Sequence, residues 1–167
     1  MTRRARFLWL FLFGFTVLAP CAGAGAVATA GAPAAPAPVT GIVWLGYDEG
    51  LARARETGRP LLISFWADWC RYCRKMKAET YVDPAVVAAV NRDFVAVAVN
   101  TTEDQKHAAE YFVRGLPTIW FVEKDGRTRI TNLPGYVDAP TFLQILGYIS
   151  SRDFEKMDFK TYTDQAK

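Results

Sequence analysis

The feature that most constrains this chain is the stretch Ser64-Phe65-Trp66-Ala67-Asp68-Trp69-Cys70-Arg71-Tyr72-Cys73, where an apolar run stops in a Cys-x-x-Cys and a basic segment through Lys77 follows. Leu61 to Trp66 is short, continuous and apolar, which predicts a buried strand, and a helix is predicted from Cys70 or Arg71 to about Glu79. Cysteines three apart at a helix start share one face, one turn apart, close enough to bond. The loop they close is too short to constrain the unfolded chain, so redox exchange explains the pair better than stabilisation does.

Three arginines in the first six residues account for the formal charge of +3. Without residues 1–26, basic and acidic side chains balance at 17 each, so no nucleic-acid partner is expected. The basic start is followed by the apolar run Phe7 to Leu18 and then by small residues around Ala22 to Ala26, an arrangement expected of an export signal that places the rest of the chain in the periplasm. Twelve apolar residues are short for a membrane span, which needs about 20. Two alternatives are an uncleaved N-terminal anchor and lipidation of Cys21, since Leu18-Ala19-Pro20-Cys21 resembles a lipobox, with Pro20 out of pattern. A mature chain would then hold only Cys70 and Cys73.

Residues 27–40, with Pro33, Pro36 and Pro38 among alanines, read as a linker. A domain over residues 41–151 follows, then a polar tail over 152–167 in which Phe154, Met157, Phe159 and Tyr162 are expected to pack back as a short helix. With 51% hydrophobic and 14% aromatic residues, the core is amply supplied. The spacing predicts helices over Tyr47 to Thr57, ended by Gly58; over Ala85 to Val90, with Asp83 as cap and Pro84 at the first position; over Glu103 to Val113, ended by Gly115; and over Pro140 to Ser150. Strands are expected at Phe94 to Val99, Thr118 to Glu123 and Arg127 to Thr131, the last two joined by the turn Lys124-Asp125-Gly126. This order implies a mixed sheet, parallel where helices cross over and antiparallel in the hairpin.

Trp-Ala-Asp-Trp-Cys-Arg-Tyr-Cys after a strand, with Gly115-Leu116-Pro117-Thr118 ahead of the hairpin and Leu116 43 positions after Cys73, resembles the thioredoxin superfamily over roughly Ile42 to Ser150. The segment Lys77-Ala78-Glu79-Thr80 and the Asp83-Pro84 helix start are most similar to the exported domain at the C-terminal end of DsbD-type electron conductors. The resemblance implies an α/β thioredoxin-like fold, a central mixed sheet flanked by helices on both faces. It implies a thiol-disulfide oxidoreductase acting mainly as a reductant, with no cofactor beyond the dithiol. Partners would be disulfide-containing exported proteins and a membrane or soluble dithiol donor, and the chain would be monomeric.

Cys70 is the expected nucleophile, its sulfur facing unpaired amides at the helix start, with Arg71, Arg74, Lys75 and Lys77 adding positive potential. Bringing a thiol pKa from about 8.5 to about 7 takes roughly 2 kcal/mol. Cys73, expected to be the less exposed, would resolve the mixed disulfide. The resemblance further implies that Trp69, Arg71 and Tyr72 meet the substrate, that Pro117 is cis, and that Leu116 offers its backbone to an extended segment. An oxidant or isomerase using the same pair, and a non-catalytic binding or chaperone module, are the competing functions.

A zinc site is not expected, because two cysteines and the distant His107 fall short of four ligands. His107 itself is expected to be a solvated helix residue. Ser64 stands where relatives have a buried aspartate, and Ala98 where they often have a lysine. A serine cannot take the Cys73 proton as a carboxylate can, which leaves Asp68 or water for that role.

Overall fold

The computed structural model describes residues 40–165. The N-terminal export segment, Cys21 and all of the linker before Thr40 lie outside the described residues. The elements run β1 (Trp44–Leu45), α1 (Tyr47–Thr57), β2 (Leu61–Trp66), α2 (Arg71–Glu79), α3 (Pro84–Asp93), β3 (Val95–Asn100), α4 (Gln105–Glu110), β4 (Thr118–Val122), β5 (Arg129–Pro134), α5 (Ala139–Ser150), a 3-10 turn (Asp153–Glu155) and α6 (Phe159–Gln165). The five strands form one sheet in the order β1-β3-β2-β4-β5. β3 pairs in parallel with both β1 and β2, whereas β4 runs antiparallel to β2 and to β5. Helices cover both faces, as expected.

The sheet is covered by two separate apolar layers. On one face Leu62, Ala96, Ile119 and Phe121 meet Met76 of α2, Val86 and Val90 of α3, and Phe142, Ile145 and Leu146 of α5. On the other, Ile63, Phe65, Val97 and Val99 meet Ala54 of α1 and Tyr111 at the end of α4. β2 and β3 feed both layers because alternate side chains point to opposite faces, which is why their runs are apolar without interruption.

Helix ends follow local chemistry. Gly58 terminates α1 in the left-handed region, with φ +75°. Asp83 caps α3, its carboxylate accepting from the amides of Ala85 and Val86 at 2.9 and 3.1 Å, a contact worth about 1 kcal/mol. Asp138 caps α5 in the same way through Thr141.

α3 runs on to Asp93, past the expected Val90, and β3 spans Val95–Asn100, one residue later than expected. Three further differences have a visible cause. β1 was not anticipated; two residues are too few to show a period, and β3 recruits them by parallel pairing. α4 is shorter than Glu103 to Val113: Asp104 caps it, its side chain accepting from the His107 amide, and it closes at Tyr111. There Val113 N–H donates to Ala108 C=O and Phe112 N–H to Ala109 C=O, with Phe112 at φ +52°. That is a Schellman ending with phenylalanine where glycine is usual. β5 starts at Arg129 instead of Arg127, because the Asp125 carboxylate takes the amides of Arg127 and Thr128 into the turn. The tail does fold back: Phe154, Phe159 and Tyr162 surround Tyr148 of α5, and the Tyr148 hydroxyl donates to Met157 C=O at 2.6 Å.

Candidate active site

β2 ends at Trp66, Ala67 packs inward, and Cys70 takes the N-cap position of α2. The Cys73 amide donates to the Cys70 sulfur at 3.0 Å, so the helix start satisfies one of its orphan donors with that sulfur. Cys70 and Cys73 are joined in a disulfide, with Cα atoms 5.3 Å apart. Donors and dipole at this end favour negative charge on the Cys70 sulfur once the bond opens.

The second half of the site arrives through the sheet. β4 is antiparallel to β2, and the register sets Phe65 opposite Thr118, so the residues just after β2 and just before β4 meet at one end. Leu116 packs against Ala67, Cys70 and Cys73. The Leu116–Pro117 peptide bond is cis. Pro117 C=O accepts from Gly135, whereas neither the N–H nor the C=O of Leu116 has a backbone partner among the described residues.

Trp69 and Tyr72 project beside the dithiol and are 71% and 55% exposed, and Arg71 is exposed between the cysteines. Trp66 is only partly buried and packs on the dithiol cluster. Of the basic residues on α2, Arg74 donates to Asp68 C=O at 2.6 Å, and Lys75 lies 3.8 Å from Glu79 and over the Tyr136 ring.

Two expectations are corrected. Cys73 is not the less exposed cysteine: both are buried, Cys70 at 4% and Cys73 at 7%, and Cys73 lines a cavity of about 530 Å³. His107 is not solvated. Its side chain is 12% exposed, stacks on Tyr47 at 3.7 Å and lies 2.5 Å from the Asp104 carboxylate. Asp68 is exposed at the cavity mouth, with its carboxylate 3.5 Å from Asn100 Nδ2. Among the described residues no group of three His, Cys, Asp or Glu side chains could hold a metal.

The register sets Ser64 opposite Ala98, as the pattern of departures predicts. What the sequence did not reveal is Tyr81, whose hydroxyl lies 3.0 Å from Ser64 Oγ. A tyrosine in the short connection between α2 and α3 carries no signal that it reaches under a strand.

Residues 47–150 match the model of the family described as the thioredoxin-like domain. The chain belongs to that family. This thioredoxin-like chain is 35% identical over 107 residues to the thiol:disulfide interchange protein DsbD of Vibrio vulnificus, a match covering 60% of the chain and 18% of the relative. It therefore spans less than a fifth of the length of the curated relatives it matches first. Its fold superposes on a thioredoxin from Thermus thermophilus with a TM-score of 0.60 at 32% identity, covering 65% of this chain and 87% of that one. The reduced C-terminal domain of Neisseria meningitidis DsbD gives 0.53 at 28% identity, covering 60% and 90%. A thioredoxin-like fold carrying a Cys-x-x-Cys disulfide at the start of α2 is a thiol-disulfide oxidoreductase.

Proposed function

We propose that this chain is an exported protein-disulfide reductase. The observation that carries the proposal is the Cys70 sulfur held by the Cys73 amide at the start of α2, beside a Leu116 backbone free to pair with an extended partner segment. The Cys70 thiolate attacks a partner disulfide, forming one S–S bond and expelling one partner sulfur as a thiolate. Cys73 then attacks Cys70, closing the Cys70–Cys73 bond and expelling the second sulfur. Trp69, Arg71 and Tyr72 form the rim that meets the partner. A dithiol donor, in the membrane or soluble, returns two electrons to the pair. The basic and apolar start of the chain supports export, and the likeness to the DsbD C-terminal domain supports the reducing direction. No helix among the described residues is long and apolar enough to cross a membrane.

The same helix-start contact favours a second reading, because stabilising a thiolate stabilises the reduced form and makes a stronger oxidant. The potential of the pair decides between them: a reductant lies nearer thioredoxin, about −270 mV, and an oxidant nearer DsbA, about −120 mV. Partner identity is tested with Cys73→Ala in the exported compartment. This variant keeps the nucleophile and is expected to accumulate mixed disulfides at Cys70; if none forms, or if activity survives loss of both cysteines, the chain is a binding module instead.

A further inference from the structure

The cavity against Cys73 is also lined by Ser64, Tyr81 and Ala98. Ser64 is buried at 4% exposure, and β3 sets the small Ala98 beside it. Tyr81 is partly buried; its ring lies edge-on to Trp44 at 5.0 Å and against Phe142 at 6.1 Å, which holds its hydroxyl at Ser64. Two hydroxyls bring two O–H donors, and the bond between them uses one. The other remains in the cavity that Cys73 lines, because neither hydroxyl makes a further hydrogen bond among the described residues.

Neither group ionises near neutral pH. Burial pushes the Tyr81 phenol above its ordinary range, and the Ser64 bond only partly offsets this. The charged groups at the cavity are Asp68 from the connection after β2 and Arg74 and Lys77 from α2, all three on exposed side chains. β1 contributes Trp44, β3 Ala98 and the connection before β4 Pro117, none of which titrates.

We propose that the Ser64–Tyr81 hydroxyl pair donates a hydrogen bond, through water held in the cavity, to the Cys73 sulfur as it becomes a thiolate. The inference rests on the dithiol chemistry proposed above. In the resolving step the Cys73 proton leaves through cavity water to solvent, the Cys73 thiolate forms the bond to Cys70, and the partner sulfur departs with the electron pair of the broken bond. Ser64 and Tyr81 are positioning residues: they neither accept the proton nor touch the partner. A cavity of this volume with two hydroxyls in its lining has room and polar partners for such water.

The test mixes the reduced full chain with an equimolar aromatic disulfide that releases coloured nitrothiobenzoate. Attack by Cys70 gives a bimolecular phase, and attack by Cys73 on the mixed disulfide gives a phase independent of concentration. Followed from about pH 5 to about pH 10, the second phase in Ser64→Ala/Tyr81→Phe is expected to shift upward by about one pH unit, roughly tenfold slower below its midpoint. Ser64→Ala alone, which keeps every backbone bond of β2, shifts it part of the way, and Ser64→Thr, which keeps a hydroxyl, restores the parent profile. A profile unmoved in Ser64→Ala and in the double variant overturns the proposal, and Ser64→Ala alone decides if the double variant does not fold. Failure of the underlying dithiol reading looks different: the parent chain itself would then lack one of the two phases.

Discussion

Gly50 of α1 lies so close to Val97 of β3 that a Cβ on the glycine would sit 2.2 Å from Val97 Cγ2. Val97 is fully buried and pairs with Ile63 of β2, so it cannot turn aside. Gly50→Ala should cost about 1–3 kcal/mol through overpacking, despite alanine's better helix propensity. A lower denaturant midpoint with unchanged slope is the expected signature; a stabilised variant would show that α1 is not pressed onto the sheet.

The hydroxyls of Tyr47 and Tyr111 are 3.0 Å apart, and the two partners are not equivalent. Tyr111 is 1% exposed, whereas Tyr47 is only partly buried. Tyr47→Phe leaves the Tyr111 hydroxyl buried and unpaired and should cost about 1–3 kcal/mol; Tyr111→Phe leaves a hydroxyl that water can reach and should cost about 1 kcal/mol less. Equal losses in thermal or denaturant unfolding would count against this asymmetry.

Asp125 accepts from Arg127 N–H at 2.8 Å, Thr128 N–H at 2.9 Å and the Thr128 hydroxyl at 2.7 Å, and these bonds bring its pKa from 3.8 to about 2. A carboxyl depressed on folding adds stability that is complete above its unfolded value and is lost as pH falls through the folded one. Asp125→Asn should therefore weaken the β4–β5 hairpin at neutral pH, with the difference from the parent chain shrinking as pH falls below 3.8 and vanishing only below about pH 2. Carbonyl chemical shifts of Asp125 followed through acid titration check the midpoint directly.

Trp69 is 71% exposed, and its replacement by alanine should change unfolding stability by less than about 0.5 kcal/mol. Reduction of a protein disulfide should nevertheless slow several-fold, because an exposed aromatic at a docking rim contributes to partner contact. Parallel assays of unfolding and of protein-disulfide reduction separate the two effects; a variant as active as the parent removes Trp69 from the rim.

Much of the fold was legible in the sequence because the strong signals were local. β2, α1 and α2 are bounded by Pro60, Gly58 and Cys70, residues whose backbone or side-chain chemistry marks an end. α4 was overextended because its terminator is Phe112, and nothing about a phenylalanine announces a left-handed residue. At the site, the disulfide pair and the segment containing Pro117 stand out as motifs. The Ser64–Tyr81 contact does not, since it joins residues 17 apart through tertiary packing alone.

β2 holds hydrogen-bonded neighbours on both sides, and the two halves of the site leave from its end and from the start of its partner β4. Separating those halves would require opening the centre of the sheet, the part of a domain whose local unfolding free energy approaches that of global unfolding. The amides of β2 and β4 should thus be among the slowest to exchange with deuterium in both redox states. Whatever adjustment accompanies turnover is left to the first turn of α2 and to the cavity beside it.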